Sequence, residues 1–282
     1  MAKTILITGA TQGIGQAIAL RFAKEKFNVV VAANDSPTEI QKTEDAIANA
    51  GGKALVCDTD VRDCDQLQSL VSLVIERFGG LDVLVNNTSA PCFSDLQTTS
   101  PAEFDLMVDT SVRATFFLSR ACFPHLKKGN NPHIINIAPP LNLEEQWLRD
   151  HLLFSIGKYG MSLCTRGMAA HFHKDGIAVN SLWPQTNIAT PRLKNYLAPE
   201  VYAGSRLPSI MADATFWLSQ RNAKKTTGHF FIDETLLKEE GVTDFSHYAI
   251  DPTHPLVQTL FLPLKPGMIP ICREHFHKKE IS

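Results

Sequence analysis

Neither sign of charge dominates this sequence: 27 Lys and Arg stand against 29 Asp and Glu, a formal net charge of -2. No broad field is therefore available to hold nucleic acid or an anionic membrane without specificity. No run approaches the roughly 18 apolar residues of a spanning helix. Met1-Ala2-Lys3 leads straight into the strand-like Thr4–Thr8, with no secretory apolar region and cleavage site. Cys57, Cys64, Cys92, Cys122, Cys164 and Cys272 contain no C-x-x-C pair. They read as small buried residues of a reducing compartment, not as disulfides or a zinc site. His171-x-His173 and His275-x-His277 do not suggest a metal either, because i, i+2 residues on a helix point apart and no fixed carboxylate or cysteine completes the set. The C-terminal Lys279-Glu280-Ile281-Ser282 is not a peroxisomal address. Internal repeats and low-complexity stretches are missing too. What these absences leave is a cytoplasmic globular protein with a small-molecule partner, no nucleic acid, no membrane span and no metal; 44% hydrophobic residues suffice for a packed core.

What is present is an alternation of strand-like and helix-like segments. Ile5-Leu6-Ile7, Val29–Ala33, Ala54–Cys57, Val83–Val85, Ile134–Ile137, Ala178–Leu182 and Phe230–Ile232 are short apolar runs. Several are continuous rather than alternating, the pattern of strands covered on both faces. Between them, Leu67, Leu70, Val71, Val74, Ile75 and Phe78 repeat at helical spacing, and Ile14–Glu25, Ser111–Leu126 and His151–Lys174 read as further helices. Repeated βαβ units predict a three-layer α/β/α fold: a doubly wound parallel sheet of about seven strands, the Rossmann fold. Its ligand belongs at the carboxyl ends of the strands, where the strand order reverses. Residues 1–233 form the expected nucleotide-binding domain. Four prolines mark residues 184–210 as a long loop over the site. Residues 234–282, rich in proline and poor in periodicity, read as an extended arm packed on the same domain or a neighbouring subunit.

Thr8-Gly9-Ala10-Thr11-Gln12-Gly13-Ile14-Gly15 stands between the first strand and the first helix. Glycines there let the backbone turn tightly and approach a pyrophosphate, which the helix N-terminus attracts with free N–H groups. Strand before and helix after are the context this mechanism requires. A dinucleotide follows. An acid at the end of the second strand selects the free ribose of NAD, and a basic residue selects the 2′-phosphate of NADP. Asn34-Asp35 places Asp35 20 residues beyond Gly15, about where the ribose-binding acid is expected.

The octet, Asp60-Val61 after the third strand, Asn86-Asn87 after the fourth and Lys158 on the long helix together resemble the short-chain dehydrogenase/reductase family, from Lys3 to about Asp233. Leu141-Asn142-Leu143, Lys158–Met161 and Asp233-Glu234 are most similar to its hydroxysteroid dehydrogenase-like branch; the expectation is a chain without the sterol-carrier domain that longer members append. The resemblance implies that Asp60 and Val61 meet the adenine and that Asn87 supports the central strand beside the cofactor. It further implies that Thr186, Ile188 and Thr190, which follow Pro184, lie where relatives contact the nicotinamide amide, with Gln185 in place of the usual glycine. Gln12 fills a position where NADP-preferring relatives place Arg or Lys, so both missing basic residues favour NAD, whereas the nearest branch favours NADP. Ser111–Leu126 and His151–Lys174 correspond to the helices through which the family forms homodimers and homotetramers.

The family's catalytic set is mostly replaced. Its Tyr-x-x-x-Lys pair passes a proton from the tyrosine and steadies the cofactor ribose with the lysine, both from one helix face. Counting back from Lys158, the tyrosine position is Phe154. Ala138 stands where the substrate-polarising serine is expected, and Ser111 where the asparagine should order a water. Lys158 alone is retained. Tyr159 sits roughly 100° around the helix and does not substitute. His151, at i−3 from Phe154 and i−7 from Lys158, shares their helix face and can exchange a proton near neutrality. Ser155, Thr88, Ser89 and Cys92 are further candidates at the border of the site. Two functions remain open: oxidoreduction of a carbonyl or secondary alcohol, possibly lipid-like, with NAD(P)(H) at an atypical site, or a noncatalytic dinucleotide-binding protein acting through a protein partner.

Overall fold

A computed structural model describes residues 2–90, 92–194, 197–271 and 275. Cys272 and His277, considered above, lie outside the described residues. Seven parallel strands form the central sheet: β1 (Thr4–Thr8), β2 (Asn28–Ala33), β3 (Lys53–Asp58), β4 (Val83–Asn86), β5 (His133–Ile137), β6 (Ala178–Trp183) and β7 (Phe230–Ile232), in the order β3-β2-β1-β4-β5-β6-β7. Every pairing is parallel, with Ile5 opposite both Val29 and Val83. The order reverses between β1 and β4, so the ends of these two strands open the crevice of a doubly wound sheet.

Helices cover both faces. They are α1 (Gly13–Lys24), α2 (Pro37–Asn49), α3 (Cys64–Phe78), α4 (Pro101–Val108), α5 (Ala114–Leu126), α6 (Glu145–Asp150), α7 (Leu152–Phe172), α8 (Pro191–Lys194), α9 (Pro199–Ala203), α10 (Ser209–Gln220) and α11 (Asp233–Glu239). One face of the sheet buries Ile5, Ile7, Val29 and Val31 against α1 and α10, through Ile18, Phe22, Met211 and Leu218. The other buries Leu6, Val30, Leu84 and Ile134 against Leu67, Val71, Leu118 and Met168. Continuous apolar strands are the sequence consequence of this double cover.

Three expectations need correction. The helix drawn from His151 to Lys174 is shorter: α6 ends at Asp150, His151 has φ −141° and ψ 40°, and α7 runs only to Phe172 before a 3-10 turn at His173–Asp175. The helical-face relation between His151 and Lys158 therefore does not hold. The arm is also not irregular from its start, since α11 follows β7 directly and buries Leu236 and Leu237 in the first core. Third, residues 184–210 carry two short helices, α8 and α9. Beyond α11, β8 (Val257–Gln258) and β9 (Ile269–Pro270) pair with each other, and the arm joins a third apolar cluster with Phe154, Tyr159 and Trp183. No helix among the described residues is long and apolar enough to cross a membrane.

A polar chain crosses the middle of this apolar sheet. Asn86 Nδ2 donates to Asn136 Oδ1 at 2.8 Å and to Ser119 Oγ at 3.1 Å, and Asn136 Nδ2 donates to Thr165 Oγ1 at 2.8 Å. Asn136 is fully buried, so removing its amide strands two partners in a dry place. Asn136→Leu should lower unfolding stability by about 1–3 kcal/mol, seen as a lower urea midpoint at unchanged slope.

Candidate active site

The glycine loop is built by closeness. Gly9 has φ +65° and Gly13 φ +60°, conformations that L side chains rarely adopt. A Cβ on Gly15 would lie 2.4 Å from the Gly9 carbonyl oxygen and 2.7 Å from Asn87 Nδ2, so only glycine lets α1 run this close to β1 and β4. Asn87 Nδ2 donates to the carbonyls of Thr8 and Gly9, both at 2.9 Å, while Thr8 Oγ1 accepts from the N–H groups of Asn87 and Thr88. These bonds lock the loop after β1 to the loop after β4. Gln12 caps α1 without a side-chain hydrogen bond, and no acid stands in the first turn. Four backbone N–H groups at that end are left to a ligand or solvent.

The other cofactor candidates gather around this loop. Thr11 Oγ1 donates to Asp35 Oδ2 at 2.9 Å, so Asp35 reaches back from the end of β2 onto the loop, beside an exposed Asn34. Asp60 is held by the Arg62 guanidinium at 2.6 Å, which keeps its carboxyl below the ordinary range. Val61 packs in the second core, and Ile14 flanks the first. From the far side, Thr190 lies so close to Gly13 that a Cβ there would meet Thr190 Cγ2 at 3.1 Å. Pro184, Thr186 and Ile188 are buried at the end of β6, and Gln185 N–H donates to Asp233 Oδ1 at 2.8 Å. Thr88 Oγ1, Ser89 Oγ, Gln185 Nε2 and Thr186 Oγ1 are buried without a hydrogen-bond partner among the described residues. Such groups cost about 1–3 kcal/mol each when unsatisfied. They stand where a polar ligand would satisfy them, so the residues fit a dinucleotide.

The four positions expected at the reacting end lie just after β5, on α7 and in the turn before α5. Lys158 is buried, and its Nζ donates to the Ile137 carbonyl at 2.9 Å, one residue before the fully buried Ala138. The ammonium also lies 5.6 Å from the Trp183 ring centroid. Ser111 sits in a π-helical turn, Asp109–Arg113, against α7, its Oγ 3.2 Å from where a Cβ of Gly157 would be. Phe154, one turn before Lys158, stacks on Phe261 with ring centroids 5.8 Å apart and planes 13° apart, and lies tilted against Phe93 at 5.1 Å. His151 places its ring edge-on to that same Phe93 at 6.4 Å. Ser155 Oγ donates to the Trp147 carbonyl at 3.1 Å, Cys92 is buried in the third cluster, and Tyr159 donates to the Asn142 carbonyl.

Sequence reasoning did not find Phe261, Trp183, Trp147 or Phe93. Aromatic residues spread over four segments carry no spacing signal. Only the excess of large apolar residues in a proline-broken arm hints that the arm lies on something apolar.

Burial without an acidic partner pushes Lys158 down to about 7. Below that value the native state holds a desolvated charge that the unfolded chain solvates freely. As pH rises to the ordinary lysine value the unfolded state binds more protons, so this term favours folding increasingly. Lys158→Met should therefore stabilise the protein most below pH about 7, the gain fading towards pH about 10. Urea unfolding of both proteins across that range checks it, since other titrating groups cancel in the difference.

Residues 3–200 match the family model for short chain dehydrogenase. The hydroxysteroid dehydrogenase-like protein 2 of Bos taurus is 45% identical over 272 residues, which take in 94% of this chain and 65% of that protein. The chain thus spans just under two thirds of the length of that relative. A solved short chain dehydrogenase from Mycobacterium thermoresistibile is 37% identical with a TM-score of 0.87, covering 95% of this chain and 99% of that one. The 3-ketoacyl-(acyl-carrier-protein) reductase of Brucella melitensis, solved complexed with NADH, is 25% identical with a TM-score of 0.72, covering 82% and 96%. The family match, over most of a chain whose sheet reverses at a glycine cradle, makes this protein a member of the short-chain dehydrogenase family.

Proposed function

We propose that this chain is an NAD(H)- or NADP(H)-binding oxidoreductase of carbonyls or secondary alcohols, with an active site that works without the usual tyrosine and serine. The carrying observation is the glycine cradle: a helix N-terminus free of side-chain caps, approached by backbone where Gly15 leaves no room for a Cβ. Gly9, Thr11, Gln12, Gly13, Ile14 and Gly15 would hold the pyrophosphate, Asn34 and Asp35 the adenosine ribose, and Asp60 and Val61 the adenine. Asn87 would back the central strand, and Pro184, Thr186 and Ile188 would meet the nicotinamide amide. The bond between Thr11 and Asp35, with no basic residue at either selecting position, favours NAD. When bound, the dinucleotide accepts or supplies the hydride.

Lys158 would anchor the nicotinamide ribose. With burial bringing it to about 7, it also exchanges a proton near neutrality, the condition for a general acid or base. His151, buried beside Phe93 next to Phe154, is the second proton source. The bovine relative's name includes hydroxysteroid, and the aromatic walls of the site suit a lipid-like substrate of that kind. Exposed Phe116 on α5 with Ile156 and Leu163 on α7 suits a homodimer or homotetramer in the cytoplasm. The second reading is a noncatalytic dinucleotide-binding protein acting through a protein partner. Phe154 and Ala138 favour it, since neither can donate or polarise.

Fluorescence titration with NADH and NADPH should give saturable binding, tighter for NADH, and Gly15→Ala should weaken it by about tenfold or more. Failure of both dinucleotides to bind would remove both readings. Phe154→Tyr with Ala138→Ser should raise carbonyl reduction by about 10²–10⁴-fold over the parent. Measurable turnover in the parent, lowered by His151→Ala, supports the rerouted proton path; turnover in the double replacement alone supports the noncatalytic reading.

A further inference from the structure

Phe261 is a fully buried phenylalanine at φ +71°. A bulky residue in the left-handed region is an outlier that its surroundings must enforce. Its neighbours show what enforces it. The ring lies 5.8 Å from Phe154, 5.0 Å from Tyr159, 6.0 Å from Trp183 and 5.9 Å from Trp147, centroid to centroid. Asn142 Nδ2 donates to the Phe261 carbonyl at 3.2 Å, and Trp183 Nε1 to the Leu260 carbonyl at 3.0 Å. The arm thus presses one strained aromatic side chain between the residue in the tyrosine position and the ring that faces Lys158. Any substrate of Lys158 would need the same space.

Gln258 braces this segment from within, its Nε2 donating to the Leu262 and Pro263 carbonyls and its Oε1 accepting from Lys265 N–H, so the segment can move as one unit. Val257 N–H donates to the Gly204 carbonyl, Asn187 N–H to the Val257 carbonyl, and Thr259 N–H to the Gln185 carbonyl, at 2.7, 2.9 and 3.2 Å. Among the described residues its strand pairings are the two-residue ladder of β8 with β9 and an antiparallel bridge between Gln258 and Thr186. A cavity of about 240 Å³ lies beside it, lined by Trp147, His151, Gln258 and Leu262, among others, and gives the segment room to move.

From this geometry we infer that residues 256–265 are a displaceable gate and that Phe261 is an internal occupant of the substrate slot. The ligand that replaces it is a flat, uncharged, apolar ring, stacked on Phe154 as Phe261 is now. Opening releases the left-handed strain at residue 261 and frees Gln185 and Asn187, the backbone that would face the nicotinamide, so ligand entry and cofactor seating are coupled. Assignment of the slot to substrate rests on the oxidoreductase reading above; the gate itself does not.

The test uses the full chain and 2-naphthol as the flat probe. Amide hydrogen exchange of Val257, Thr259 and Lys265 in the wild type should run at least about tenfold faster than that of β1, through a local opening. Adding 2-naphthol should quench the fluorescence of Trp147 and Trp183 and raise exchange in the arm further. Phe261→Ala, which removes the competing ring, should bind the probe about tenfold tighter or better, because the closed population no longer subtracts from affinity. Phe261→Leu, closer in volume, should fall between the two and serves if the alanine variant does not fold. Arm amides that exchange only with β1, or a folded variant with wild-type affinity for the probe, would overturn the gate. A rigid arm in a protein that binds NADH removes the gate alone; a mobile arm in a protein that binds neither dinucleotide removes the oxidoreductase reading and leaves the gate.

Discussion

The distance between α1 and the ends of β1 and β4 governs the rest of the molecule. A Cβ on Gly15 would intrude to 2.4 Å from a backbone oxygen, so a single methyl group there would push the helix off the sheet. Asn87 sets the same distance from the other strand, spending both amide hydrogens on the carbonyls of Thr8 and Gly9. With that contact fixed, the N-terminus of α1 points its unsatisfied N–H groups at the crevice between β1 and β4. The strand-order reversal places the crevice there, and the excursion after β6 closes over it through Thr190. Fold and site are thus one constraint seen at two scales.

On the reacting side the constraint is aromatic. One turn before Lys158 stands the ring of Phe154, and a ring in that place demands apolar neighbours. Phe93, Phe261 and Trp183 supply them, and the third apolar cluster is the result.

How much of this was legible in the sequence differs by element. The seven strands were legible because double burial leaves continuous apolar runs, and the nucleotide loop because its glycines answer steric demands that no other residue meets. Asp35 was singled out by its spacing from Gly15, and its carboxylate accepts a hydrogen bond from Thr11 on the loop. The break at His151 was not. Residues 145–172 keep a nearly helical pattern, and no glycine or proline marks the point where α6 turns into α7. That one non-helical residue changes which face His151 shares. Phe261 was illegible for a different reason: its partners lie at residues 147, 154, 159 and 183, and contacts so distant in sequence leave no period to count.

Lys158 stands between the end of β5 and the aromatic cluster. A buried amine with no carboxylate beside it opposes folding at neutral pH, since burial alone brings it down to about 7. Its hydrogen bonds, to the Ile137 carbonyl and the Met161 sulfur, do not satisfy a full ammonium. A leucine or methionine in that position would pack against Trp183 with no such penalty. The pieces around it resolve the tension in one way: a ligand bringing hydroxyl oxygens to Nζ would supply the missing acceptors and draw the amine back towards its charged form. Ligand binding and protonation of Lys158 would then be thermodynamically linked, so proton uptake by the lysine would accompany the seating of such a ligand.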